Sequence, residues 1–183
     1  MSDMNVSHLR AVRGLAALAL VAVLGAVGCS TSASAKPAGP TFDASVFKLT
    51  SPAYVNGGDF PDRFTCKGGN VSPPLAWEGA PPQTAAFALV MEDYTWQFTH
   101  WVAYNIPGSP SGSLPENAAM TAGEVTQAVV YQAPCPAGSH SMYNVTLYAL
   151  SARLSLTNAT TKSEVEDAMD GKIIAQTELK GWN

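Results

Sequence analysis

Proline and glycine punctuate this chain from end to end, and turns that frequent leave short segments between them. The 183 residues hold 13 Pro and 15 Gly. Each proline pushes its predecessor out of the α region, so Ser72-Pro73-Pro74-Leu75 cannot be helical. Short extended segments between turns predict a mainly β fold. Apolar residues make up 46% of the chain and charged residues 13%, a balance that argues for a folded body rather than disorder. The length suits one domain and not comfortably two. A net charge of -4 and the lack of any basic run argue against nucleic acid as a partner.

The N-terminus reads as a processing segment. His8, Arg10 and Arg13 precede residues 14–27, which carry no charged or strongly polar side chain. That stretch is short of the roughly 20 apolar residues a bilayer span needs and fits the core of an export signal. It ends Leu24-Gly25-Ala26-Val27-Gly28-Cys29. Small residues before a cysteine look like a bacterial lipobox, with Ala26 where Leu is commoner. Residues 1–28 are expected to be a lipoprotein signal peptide, with a plain secretory signal or an uncleaved anchor as alternatives. Cys29 would be the acylated first residue, carrying chains such as palmitate. From Ser30 to Thr41 the chain reads STSASAKPAGPT, so residues 29–41 form a flexible tether. The expected location is the outer face of the cytoplasmic membrane, with residues 42–183 as the folded domain.

Within that domain, Val46 to Thr50 alternates and reads as a strand. Phe60 to Thr65 reads as a short extended piece. Ala85 to Met91 is a continuous apolar run of strand length, as in a buried central strand. Thr99 to Ile106 is another, and Ile173 to Leu179 alternates weakly. Tyr143 to Leu150 puts Val145, Leu147 and Ala149 on one face and Asn144, Thr146 and Tyr148 on the other. Helix signals gather at one place: Thr161 can cap, Glu164 follows three residues on, Val165, Ala168 and Met169 share a face, and Gly171 supplies a stop.

Beyond the signal, the histidines are His100, at the start of an apolar strand, and His140, in a Pro/Gly-rich loop. Asp93 ends the buried run, where a sheet rim and its loops would meet. Taken singly, each has an ordinary structural reading.

Five segments, in order, resemble the phosphatidylethanolamine-binding family in its bacterial Raf-kinase-inhibitor-like branch. They are Leu49 to Ala53 with Gly57-Gly58; Phe64-Thr65-Cys66 with Gly69 to Trp77; Phe87 to Asp93; Thr99 to Pro107; and Pro134-Cys135-Pro136 through Tyr143 to Leu150. The stretch from Glu164 to Leu179 fits as well, so the likeness runs from about Phe47 to Trp182. The resemblance implies a two-sheet β-sandwich-like fold, with a short C-terminal helix and a small anion pocket at one edge. Carried over, the ligand-binding residues are Asp93, His100, Pro134, His140 and Tyr143. A histidine can donate to a phosphate oxygen, and a nearby anion favours its charged form.

Two departures stand out. The family's Asp-Pro-Asp-x-Pro motif reads Asp93-Tyr94-Thr95-Trp96-Gln97, a shorter loop in which Tyr94 and Trp96 could form an aromatic rim. The family also spaces its second His two before the Tyr, whereas His140 stands three before Tyr143 and Ser141 holds the aligned place. Either a bulge restores His140 to the pocket, which is the expectation, or Ser141 faces it. Cys66 and Cys135 are an even pair in an oxidising compartment, and either a disulfide or two buried thiols fits.

The function so implied is a membrane-tethered binding protein for anionic or phosphorylated small ligands, such as phospholipid headgroups or nucleotides. It needs no cofactor or metal and no catalysis. One alternative is an extracytoplasmic peptidase inhibitor or signalling modulator with a protein partner. A lower-ranked one is an enzyme, either metal-dependent through Asp93, His100 and His140 or hydrolytic through Ser141.

Overall fold

The computed structural model describes residues 42–121, 125–135 and 140–183. The expected signal peptide, Cys29 and the tether lie outside the described residues. The described residues belong to one compact unit.

In chain order the strands are β1 (Lys48–Thr50), β2 (Gly58–Asp59), β3 (Leu75–Glu78), β4 (Ala86–Asp93), β5 (Phe98–Pro107), β6 (Gly112–Leu114), β7 (Thr126–Val129), β8 (Met142–Leu150) and β9 (Ile173–Trp182). One helix, α1 (Lys162–Met169), precedes β9. The strands make a small sheet, β1-β3-β6, and a larger one, β2-β9-β8-β4-β5-β7. The fold is the two-sheet, mainly β one that the sequence predicted.

The apolar run at β4 is continuous because both of its faces are covered. Phe87, Leu89 and Met91 face the core shared with the small sheet, beside Trp77, Val145 and Leu147. Ala88 and Val90 face a second core with Val102, Leu150, Val165 and Met169, beneath the helix. The alternation predicted for β8 holds: Tyr143, Val145, Leu147 and Ala149 lie in the first core. The helix is capped as its sequence indicates, with Glu164 N–H donating to Thr161 Oγ1 at 3.2 Å and Thr161 N–H donating to Glu164 Oε2 at 2.9 Å. Lys162 Nζ then reaches Glu92 Oε1 on β4 at 2.6 Å and ties the helix to the sheet.

Two details differ from the sequence reading. Phe60 to Thr65 is a turn, not an extended piece. Pro61, at φ -66°, sets it up, Asp62–Phe64 form a 3-10 turn, and Phe64 N–H donates back to Pro61 O at 2.9 Å. The short strands β2, β3, β6 and β7 were not read from the sequence.

A bulge divides β5. Phe87 pairs with Ile106 but Leu89 pairs with Ala103, leaving one residue extra on β5. Asn105 takes up the slack at φ +56°. Its amide donates to Leu154 O at 3.0 Å and accepts from Leu154 N at 2.8 Å. Asn105→Ala is expected to destabilise by about 2–3 kcal/mol, from left-handed strain plus two lost bonds. Asn105→Gly should recover roughly 1 kcal/mol of that, because it relieves the strain alone. Urea denaturation of the three proteins checks both values.

Candidate functional site

Three of the expected residues meet at the rim where β4 ends. Asp93 closes β4, and its ladder partners are Phe98 on β5 and Tyr143 on β8. A second bulge then shapes the wall. Met91 pairs with Trp101 and Glu92 with Thr99, so His100 and Trp101 share the place opposite Met91. Trp101 fills the core while His100 lines a cavity together with Asp93, Trp96, Phe98, Gln132, Ala133, Cys135 and Tyr143. The cavity volume is about 520 Å³.

The His100 imidazole has a defined role for each nitrogen. Nδ1 lies 2.7 Å from Gln132 O. A carbonyl can only accept, so Nδ1 carries the proton and Nε2 is left for a ligand. The Gln132 N–H returns a bond to His100 O at 2.8 Å, so the two residues hold each other. Burial pulls the imidazole below its ordinary value of 6.5, against the opposing pull of the Gln132 carbonyl and the Asp93 charge. Burial thus favours the neutral ring. Phe98 stands edge-on to it at 4.8 Å and Tyr143 at 5.5 Å.

Asp93 is buried, and its Oδ1 accepts from Thr95 N at 2.7 Å and Trp96 N at 3.1 Å. The carboxylate thus also closes the turn that follows β4. Burial raises the Tyr143 phenol; the neighbouring Ser141 hydroxyl tempers the shift and the Asp93 charge adds to it. Ser141 Oγ is itself buried without a well-formed hydrogen bond.

The other expected residues lie elsewhere. His140, expected in the pocket, stacks on Trp182 with ring centres 4.8 Å apart and planes 9° from parallel. It lines a separate cleft of about 350 Å³ with Asp59 and Asp62. Strand parity explains this. Ser141 continues the ladder, giving its N–H to Asn183 O at 2.7 Å and accepting from Asn183 N at 3.0 Å. Residues three apart on an extended strand face opposite sides, so Ser141 goes with Tyr143 and His140 goes with Met142. Pro134 is buried behind the wall, its carbonyl accepting from Cys66 N at 2.8 Å.

Cys66 and Cys135 are joined by a disulfide, Cα to Cα 5.2 Å, with Cys135 on the cavity wall. Asn70 Oδ1 accepts from Ala133 N at 2.7 Å and holds the same segment. Asp93, His100 and His140 do not converge, and no group of metal-ligating side chains forms among the described residues. Sequence reasoning passed over Phe98 and Gln132. Phe98 was within reach, since it shares a strand face with His100; Gln132 acts through its backbone and leaves no side-chain signal.

A two-sheet β domain with a polar-floored, aromatic-mouthed cavity at one rim has the build of a small-ligand binding protein. The family profile for Phosphatidylethanolamine-binding protein matches residues 50–182, and the chain belongs to that family. A UPF0098 protein of Methanothermobacter thermautotrophicus is 34% identical over 146 residues, covering 73% of this chain and 95% of the relative. Among solved structures, the phosphatidylethanolamine-binding protein homologue CT736 of Chlamydia trachomatis is 30% identical with a TM-score of 0.68, covering 75% of this chain and 97% of its own. YbcL of E. coli, with 22% identity, a TM-score of 0.65 and the same coverage, shares the fold.

The neutral His100 makes stability depend on pH. Its folded-state value lies below the unfolded one, so between the two the unfolded chain binds more protons and stability rises with pH. The stability this residue contributes is therefore lost as pH falls below about 6.5. Denaturation from about pH 7 to about pH 5 should show a decline that is shallower in His100→Gln, which cannot titrate.

Proposed function

We propose that this protein is a non-catalytic binding protein for small ligands bearing a phosphate or similar anion, held outside the cytoplasm by a lipidated Cys29. The observation that carries the reading is the committed tautomer of His100. With Nδ1–H given to Gln132 O, Nε2 is available to the cavity between Asp93 and Tyr143. A phosphate monoanion can donate its own P–OH to that lone pair and accept from the Tyr143 hydroxyl. A dianion would instead draw a proton onto the imidazole. Either route couples binding to a proton, so affinity should rise as pH falls from about 7.5 to about 6.

Two further features support the reading. The Cys66–Cys135 disulfide suits an oxidising compartment. Ser141, the nucleophile of the hydrolytic alternative, is fully buried and is not among the described residues that line the cavity.

The test is thermal unfolding of residues 42–183 with inorganic phosphate, phosphoethanolamine and a nucleoside monophosphate. At a hundredfold excess over the dissociation constant, a true ligand stabilises by about 2.7 kcal/mol, a rise of roughly 5–10 °C. The rise should vanish in His100→Ala and shrink in Tyr143→Phe. No rise with any of the three, in wild type, would sink the anion reading. For the tether, Cys29→Ser in the full chain should abolish palmitate labelling and move the protein from the membrane fraction to the soluble one.

A further inference from the structure

The Cys66–Cys135 disulfide lies where a staple for the core would not. Both cysteines are exposed, and neither belongs to either core. The bond joins residues 69 apart in sequence, and Cys135 stands on the cavity wall. Exchange begins when a thiolate reaches a disulfide sulfur, so exposure leaves this bond open to attack in the folded protein.

The two segments it joins do not rely on sulfur alone. The Tyr131 hydroxyl donates to Phe64 O at 2.6 Å, Ala133 N–H to Asn70 Oδ1 at 2.7 Å, and Cys66 N–H to Pro134 O at 2.8 Å. None of these bonds involves a sulfur, so all can persist when the bridge opens. The two ends of the bridge are held differently. Cys66 sits in a turn that closes on itself: the Thr65 N–H and hydroxyl donate to Asp62 O at 3.1 and 2.8 Å, and Gly68 N–H donates to Thr65 O at 2.9 Å. Among the described residues Cys135 has no hydrogen bond of its own, so the bridge is what ties it. Opening the bridge would leave Cys66 in place and release Cys135. That residue follows closely on Gln132, whose carbonyl accepts from His100 Nδ1.

We propose that Cys66–Cys135 is a thiol-exchange site, a latch on the cavity wall that a protein dithiol opens. The partner's thiolate attacks Cys135 Sγ and forms a mixed disulfide, while the Cys66 sulfur leaves as a thiolate and takes up a proton. The partner's second thiol then gives up its proton and displaces Cys135, which leaves as a thiol. Two electrons and two protons have passed to this chain, and the partner departs as its own disulfide. The same steps in reverse, from the oxidised partner, close the latch. The proposal goes beyond the binding reading and holds whichever ligand the cavity takes.

The test treats residues 42–183 with reduced thioredoxin as the protein dithiol, and with dithiothreitol beside it. Free thiols are trapped by alkylation and counted by mass spectrometry, and circular dichroism is read on the same samples. The bridge should open in the folded protein at within about tenfold of its rate in urea, with the β signal kept. Cys135 should be alkylated ahead of Cys66. The His100 ring, followed by NMR against pH, should titrate higher once the bridge is open, because burial is the main cause holding it low. The double variant Cys66→Ser/Cys135→Ser should match reduced wild type. A bridge that opens only as fast as the chain unfolds, or whose opening unfolds the chain, would leave the disulfide a plain staple and overturn the proposal. So would a His100 titration that is the same in oxidised, reduced and double-variant protein.

Discussion

The architecture depends on burying β4 on both faces. Its eight residues pair with β5 on one side and β8 on the other, and their alternate side chains enter two different cores. A strand in that position cannot run on into solvent without a device to end it. Asp93 is that device: its carboxylate takes the first N–H groups of the turn and stops the ladder. The acid is at the cavity because the central strand ends there, and β5 and β8 deliver His100 and Tyr143 to the same level through pairing alone.

Holding a neutral imidazole in this position sets fold against ligand. Burial favours the uncharged ring, while an anion would favour the charged one. The conflict is kept local because Gln132 fixes the tautomer through its backbone, and the Cys66–Cys135 bond fixes the segment that carries Gln132. A site of this kind is rigid in geometry and adjustable in charge. Under the anion-binding reading proposed above, that combination would let a ligand's proton set how tightly it binds.

Much of this was legible in the residues themselves. The unbroken apolar run of β4, the alternation in β8, and the Thr161 and Glu164 cap each state a local rule, and the fold obeys it. His140 was misread although the rule was at hand. Three residues from Tyr143 puts it on the opposite face, and the reciprocal bonds between Ser141 and Asn183 extend the strand far enough for parity to apply. What allowed the error was reading residues before β8 as loop, where parity has no force. Gln132 was out of reach for a different reason, because a backbone carbonyl has no identity in a sequence. The Cys66 and Cys135 pair stayed open between bond and thiols, since spacing along the chain does not fix distance in space.

The departure of the loop after Asp93 from the pattern its family suggests follows from the same mechanics. Asp93 closes the turn through backbone N–H groups and Thr95 Oγ1 takes the Met142 N–H at the start of β8, so neither bond calls for a particular side chain in the place of Tyr94 or Trp96. Tyr94 uses the liberty to reach Asn144 on β8, accepting from its Nδ2 at 2.9 Å. Trp96 uses it to stand at the cavity mouth. Neither ring belongs to either core. A change of ring there alters what the cavity meets at its entrance, while the Asp93 bonds that end β4 remain.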